Sequence, residues 1–127
     1  MVLHIYVFSY IIPELQNQGH AAMQPLNFFK CLSDHTRLKI MLLLCKEKEL
    51  CVCELVDRLD ETQPKISRHL AQLKYCNLIQ HRREGQWMHY RLHEKLPDWC
   101  YQSLELALVN NQDFMHHEKI TFDELRP

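Results

Sequence analysis

Between residues 25 and 109 of this 127-residue chain, apolar positions recur at helical spacing in five stretches and alternate in one. Pro25–Leu32 carries Leu26, Phe28, Phe29 and Leu32 for packing, with Pro25 suited to a first helical turn. Ser33 and Asp34 can cap a second helix, whose Leu38, Met41, Leu42 and Cys45 keep helical spacing to about Lys48. Leu50–Leu59 repeats the pattern as a helix with Leu55, Val56 and Leu59 on one side. Asp60-Glu61-Thr62 breaks it and supplies cap candidates.

The next helix, Gln63–Tyr75, has one buried stripe of Ile66, Leu70 and Leu73. At about 100° per residue, Arg68, Gln72 and Tyr75 lie opposite that stripe, with Lys65 and Ser67 on its flanks and His69 near its edge as a packing residue. Thr62 caps it and Pro64 sits in its first turn. Leu78–Arg91 then alternates in two runs around Glu84-Gly85, where Gly85 can supply the positive φ of a tight hairpin turn. Trp87 and Tyr90 are expected to pack this hairpin onto the helices. Leu96–Val109 closes the domain as a helix with Leu96, Trp99, Cys100, Leu104 and Leu108 available for packing.

Two short helices joined by a tight polar turn, followed by a hairpin, predict a fold that is mainly α with a small β-hairpin: a winged helix-turn-helix. The predicted domain spans residues 23–110. Residues 1–22 form an N-terminal extension, whose first twelve residues are apolar but too short to span a membrane. Met23 and the purine-rich codons that Gln18-Gly19 require point to a mis-assigned start. Residues 111–127 read as a C-terminal tail.

Composition narrows the function. The chain is 46% apolar and 24% charged, enough for one core and too ordered for a disordered tail. Its two glycines form no phosphate-binding loop, and no catalytic triad or CxxC pair is present, so an enzyme is not expected. The net charge of −1 conceals an asymmetry. Residues 63–91 hold six Lys and Arg against the single Glu84, a net +5, while the remainder carries −6. A concentrated basic stretch on a helix-turn-helix predicts double-stranded DNA as the partner. Arg68 and Gln72 can reach base edges. Lys65, Ser67 and the helix start at Gln63 suit phosphates, and Arg82 and Arg83 near the wing turn suit the backbone or minor groove.

Six cysteines without an evident secretory signal read as thiols of a cytoplasmic protein. Cys51 and Cys53 are the candidate metal or metalloid ligands. On a regular helix residues two apart diverge by about 200°, so sharing one ion should unwind the start of that helix and displace Gln63–Tyr75. Cys31, Cys45 and Cys76 read as packing residues, and Cys100 as a weak candidate for a third ligand.

The strings QPLNFFKCLSDHTRLKIMLLL at 24–44, ELCVCEL at 49–55, QPKISRHLAQLK at 63–74 and GQWMHYRL at 85–92 resemble the ArsR/SmtB family of metal-responsive transcriptional repressors, and its arsenic-sensing members above all. The resemblance covers residues 23 to about 108. It implies a homodimer built from the first and last helices, operator binding without a cofactor, and release when As(III) or Sb(III) binds Cys51 and Cys53. The chain departs from some arsenic-sensing relatives at Val56, where they carry a third cysteine. Cadmium- and lead-sensing relatives add cysteines before position 31, which this chain lacks. Asp98, His116 and His117 do not reproduce the zinc-sensing spacing. A Cd, Pb or Zn response, or a thiol-oxidation response, remains the alternative.

Overall fold

In the computed structural model, which describes residues 23–116, Pro25 opens helix α1 (Pro25–Leu32), and the chain turns at Ser33. Asp34 caps α2 (His35–Glu47), its carboxylate accepting the Arg37 N–H at 3.0 Å. A left-handed Lys48, with φ 74°, ends α2 and redirects the chain into a short strand, β1 (Glu49–Cys51). Helix α3 (Val52–Leu59) follows at once and ends at Asp60, also left-handed with φ 49°. Thr62 caps α4 (Gln63–Tyr75), its hydroxyl accepting the Lys65 N–H at 3.4 Å. Strands β2 (Ile79–Glu84) and β3 (Trp87–Leu92) form the hairpin, turning at Gly85 with φ 63°. Helix α5 (Asp98–Asn110) and a short α6 (Gln112–His116) complete the described chain.

The fold is the expected winged helix-turn-helix, with one addition. Residues 49–51, read as the approach to a helix and its first turn, are a strand that pairs with β3. The sheet order is β1-β3-β2, antiparallel throughout, with Leu50 opposite Tyr90 and Cys51 opposite His89. The strand supplies hydrogen-bond partners for what would otherwise be a bare hairpin edge. It also seats Leu50 in the core. Helix α3 therefore starts at Val52, and Cys51 becomes its N-cap.

The core gathers Phe28 of α1, Ile40 and Met41 of α2, Leu55 of α3, Ile66, Leu70 and Leu73 of α4, and Leu104 of α5. The sheet lays one face on it through Leu50, Ile79, Tyr90 and Leu92. Its other face carries Glu49, Cys51, Arg82, Glu84, Trp87 and His89. Tyr90 thus packs the wing as expected, whereas Trp87 does not. It stands opposite Glu84 on the outer face beside the turn and is 51% exposed. Helix α6 falls within the predicted tail, and its Phe114 and Met115 pack against the core. The extension at 1–22 and the tail from residue 117 lie outside the described residues. Among the described residues no helix is long and apolar enough to cross a membrane.

Candidate thiol site and nucleic-acid interface

The two candidate ligands meet at the junction of β1 and α3. Cys51 keeps an extended backbone (φ −85°, ψ 165°), so the angle between it and Cys53 is not that of a regular helix. The two Sγ atoms stand 2.7 Å apart. Glu54 fixes the junction: its Oε1 accepts the Cys51 N–H at 3.0 Å, completing a capping box in which the Cys51 side chain faces the Glu54 N–H. That backbone N–H, followed by the Cys51 side chain, holds the Glu54 carboxyl below its ordinary value. Cys51 is 7% exposed, whereas Cys53 is open to solvent. Burial, reinforced by the contact with Cys53, pushes the Cys51 thiol up to about 11.

This geometry corrects the expectation that sharing an ion requires unwinding of the helix. Two thiolates bound to one centre at ~2.3 Å stand roughly 3.3–3.8 Å apart for angles between a narrow pyramid and a tetrahedron. The sulfurs therefore need to part by only ~0.6–1.1 Å. Two thiolates are the donor type that suits a soft, thiophilic centre once that small separation is made. Among the described residues no group of three or more His, Cys, Asp or Glu forms a ready metal cage. Val56 occupies the position of a possible third thiol, and Cys100 lies in the core with burial pushing it up to about 12. Cys31, Cys45 and Cys76 are core residues, and a hydrogen bond to Cys31, followed by burial, pushes the Cys76 thiol up.

The reading helix α4 presents a different face from the one its apolar stripe predicts. Its exposed residues are Gln63, Pro64, Ser67, Ala71, Lys74 and Tyr75, a face centred about 70° from the point opposite the stripe. Gln72, expected at base edges, is 2% exposed. Its Oε1 accepts from Arg37 Nη1 at 3.0 Å and lies 3.1 Å from His69 Nδ1. The cause is a polar second contact: the start of α2 packs beside α4 and buries His69 and Gln72 with it. Arg37 also donates from Nε to the Cys31 carbonyl at 2.7 Å. Gln63 and Ser67 are exposed as expected, and Arg68 is half-buried, its Nε without a partner. Lys65 reaches back to Glu61 at 3.0 Å. Lys74, seven residues after Ser67, belongs to the exposed face and escaped the sequence reading.

On the wing, Arg83 is exposed and its Nε donates to the Gly85 carbonyl at 3.2 Å. Arg82 is engaged by two carboxylates. Its Nη2 donates to Glu49 at 2.6 Å, its Nε to both Glu49 oxygens at 3.0 and 3.1 Å, and its Nη1 to Glu84 at 2.9 Å. Without DNA, the Arg82 guanidinium is thus held by two carboxylates of the sheet while its side chain stays half exposed. The bond to Arg82 also holds the Glu49 carboxyl below its ordinary value.

A family model described as bacterial regulatory protein, arsR family, matches residues 34–81. The arsenic resistance transcriptional regulator ArsR1 of Pseudomonas putida is 44% identical over 103 residues, covering 81% of this chain and 80% of the relative. The arsenical resistance operon repressor of Escherichia coli is 49% identical over 83 residues, covering 65% and 71%. A cadmium resistance transcriptional regulatory protein CadC homolog of Staphylococcus aureus is 37% identical over 91 residues, covering 72% and 73%. Among solved structures, the AntR antimony-specific transcriptional repressor superposes with a TM-score of 0.57 at 26% identity, covering 71% of this chain and 78% of that one. A homodimeric winged helix-turn-helix DNA-binding domain from Mycobacterium bovis, a possible ArsR-family regulator, superposes at 0.56 and 25% identity, covering 76% and 86%.

Proposed function

This chain belongs to the arsR family of bacterial regulatory proteins, and we propose that it is a cytoplasmic, homodimeric repressor released from operator DNA when As(III) or Sb(III) binds Cys51 and Cys53. The observation that carries the reading is the thiol pair. Two sulfurs, one exposed and one buried, stand 2.7 Å apart at the start of the first helix of the helix-turn-helix. Soft thiolate donors, with no imidazole or carboxylate cage among the described residues, favour a thiophilic metalloid over Zn²⁺. Two relatives named for arsenic resistance and a structural neighbour named for antimony support the same class.

On DNA, Ser67, Ala71 and Lys74 form the centre of the presented face of α4. Gln63 and Arg68 flank it, Lys65 stands in the first turn of the helix on another side, and Arg83 reaches out from the wing. Lys65, Lys74 and Arg83 meet phosphates, which fix register. Arg68 is the residue that reads a base edge. Exposed Leu26 and Phe29 on α1, and Trp99, Leu106 and Val109 on α5, supply an apolar surface for the second protomer, as the homodimeric neighbour supports.

The test is a fluorescence-anisotropy titration of reduced protein on duplex DNA from upstream of its own gene, at fixed salt, with As(III), Sb(III), Cd(II) and Zn(II) added separately. Release by As(III) or Sb(III), abolished in Cys51→Ser and Cys53→Ser, is the expected outcome. Release by Cd(II) alone assigns the site to the class of the cadmium-named relative and overturns the metalloid reading.

A further inference from the structure

Cys51, His89 and Arg82 form one row across the sheet: Cys51 stands opposite His89 in the β1–β3 pair, and His89 stands opposite Arg82 in the β3–β2 pair. All three share the outer face with Glu49, two residues before Cys51 on the same strand. Glu49 reaches across β3 to take Arg82 in a bidentate grip at 2.6–3.1 Å. The strand that carries Cys51 is thus tied to the far strand of the wing, over the top of the strand between them.

We propose that Glu49 is a positioning residue that holds the wing to the thiol-bearing strand, so that capture of an ion by Cys51 and Cys53 moves the wing and weakens its hold on DNA. The inference rests on the metalloid reading above and names its route of coupling. Strand β1 is three residues long, bounded by the left-handed Lys48 on one side and the Glu54-capped helix start on the other. A segment so short and so held moves as a unit. When the sulfurs part to accept an ion, the displacement of Cys51 is therefore carried to Glu49 and, through the guanidinium, to β2. An exposed ion pair is ordinarily worth little, but a bidentate arginine–carboxylate pair is the recognised exception, because two parallel bonds fix direction as well as distance. Glu84 provides the internal contrast. It also binds Arg82, at 2.9 Å, but from the same strand, and its other contact, 3.7 Å to His89 Nε2, reaches only the neighbouring β3 and not β1.

The experiment compares wild type, Glu49→Gln, Arg82→Gln and Glu84→Gln. Two quantities are read: uptake of As(III) from the near-ultraviolet absorbance of thiolate ligation, and the ratio of operator Kd with and without As(III) in the anisotropy assay. Glu49→Gln and Glu84→Gln remove the same charge, so the ratio, rather than the affinity, isolates the tie. Wild type is expected to show a release ratio within the ordinary allosteric range of about 5–150-fold. Glu49→Gln and Arg82→Gln should take up As(III) as wild type does, with the ratio cut to a third or less, and Glu84→Gln should keep the wild-type ratio. A wild-type ratio in Glu49→Gln overturns the proposal, as does loss of As(III) uptake in that variant, which would make Glu49 part of the thiol site. A wild-type protein that As(III) does not release overturns the functional reading as well.

Discussion

Replacing Arg37 with methionine keeps most of the side-chain stem and deletes the guanidinium that joins α1, α2 and α4. Arg37 is 4% exposed, and its guanidinium donates to the Cys31 carbonyl at 2.7 Å and to Gln72 Oε1 at 3.0 Å. Hydrogen bonds from a charged donor contribute about 1.5–3 kcal/mol each. Their loss strands a buried carbonyl, while Gln72 keeps its contact with His69. The expected cost is about 3–5 kcal/mol, a large share of the ~5–15 kcal/mol that holds a domain together. With a urea slope of ~1–2 kcal/mol per molar, the unfolding midpoint should fall by at least ~1.5 M at fixed protein concentration. The exposed Lys95→Met, which deletes an equal charge, should move it by no more than ~0.5 kcal/mol. Because Gln72 Nε2 is already buried without a partner, the double variant Arg37→Met/Gln72→Met should lose less than the sum of the single variants, by ~1 kcal/mol or more. Should Arg37→Met unfold at the same urea concentration as Lys95→Met, the polar contact between α2 and α4 is not what seats the reading helix.

Iodoacetamide on the native, reduced protein should label Cys53 alone at first, and all six cysteines in denaturant, as intact mass would count; rapid native labelling of a second site would contradict the burial of the other five. Burial keeps the His69 imidazole below its ordinary value despite Asp34 at 3.7 Å, so its stabilising contribution is complete above pH ~6.5 and is lost as the pH falls through the lowered folded value. The urea midpoint should therefore drop between pH 7 and pH 5, less steeply in His69→Gln, while His35, lowered first by burial, keeps a residual slope in both proteins; equal slopes would remove His69 from the account. Gly85→Ala should cost ~1 kcal/mol from positive φ alone, because a Cβ there meets nothing within 4 Å, and a cost above ~3 kcal/mol would mean a steric contact at the turn.

Helices α1, α2 and α4 and the hairpin were legible because each is announced by local chemistry: Pro25, Asp34 and Thr62 at the starts, and Gly85 at the turn. The pattern could not reveal β1, since three residues ahead of a helix carry no period of their own, and Leu50 reaches the core from either conformation. Nor could it orient α4 fully. Three leucine and isoleucine positions locate an apolar stripe, but the burial of His69 and Gln72 is decided by Arg37, thirty-five positions from Gln72 in sequence. The closeness of Cys51 and Cys53 was not legible in the sequence. Spacing on an ideal helix separates Cys51 from Cys53, while an extended N-cap brings them together.

The unequal exposure of the two thiols imposes an order on capture. On the proposed function, an ion arriving from solvent meets Cys53 first, since Cys51 is shielded and burial pushes its thiol up. Once the first bond forms, the second sulfur is already within a few ångströms, and the next step becomes intramolecular, governed by a local effective concentration rather than by the thiol content of the solution. A monothiol in the medium can compete for the first bond at every encounter, yet it cannot match the second. A site of the proposed kind would reject loosely held soft ions and retain those able to take two sulfurs at once, so its discrimination would lie in the closing of the chelate ring rather than in the initial collision.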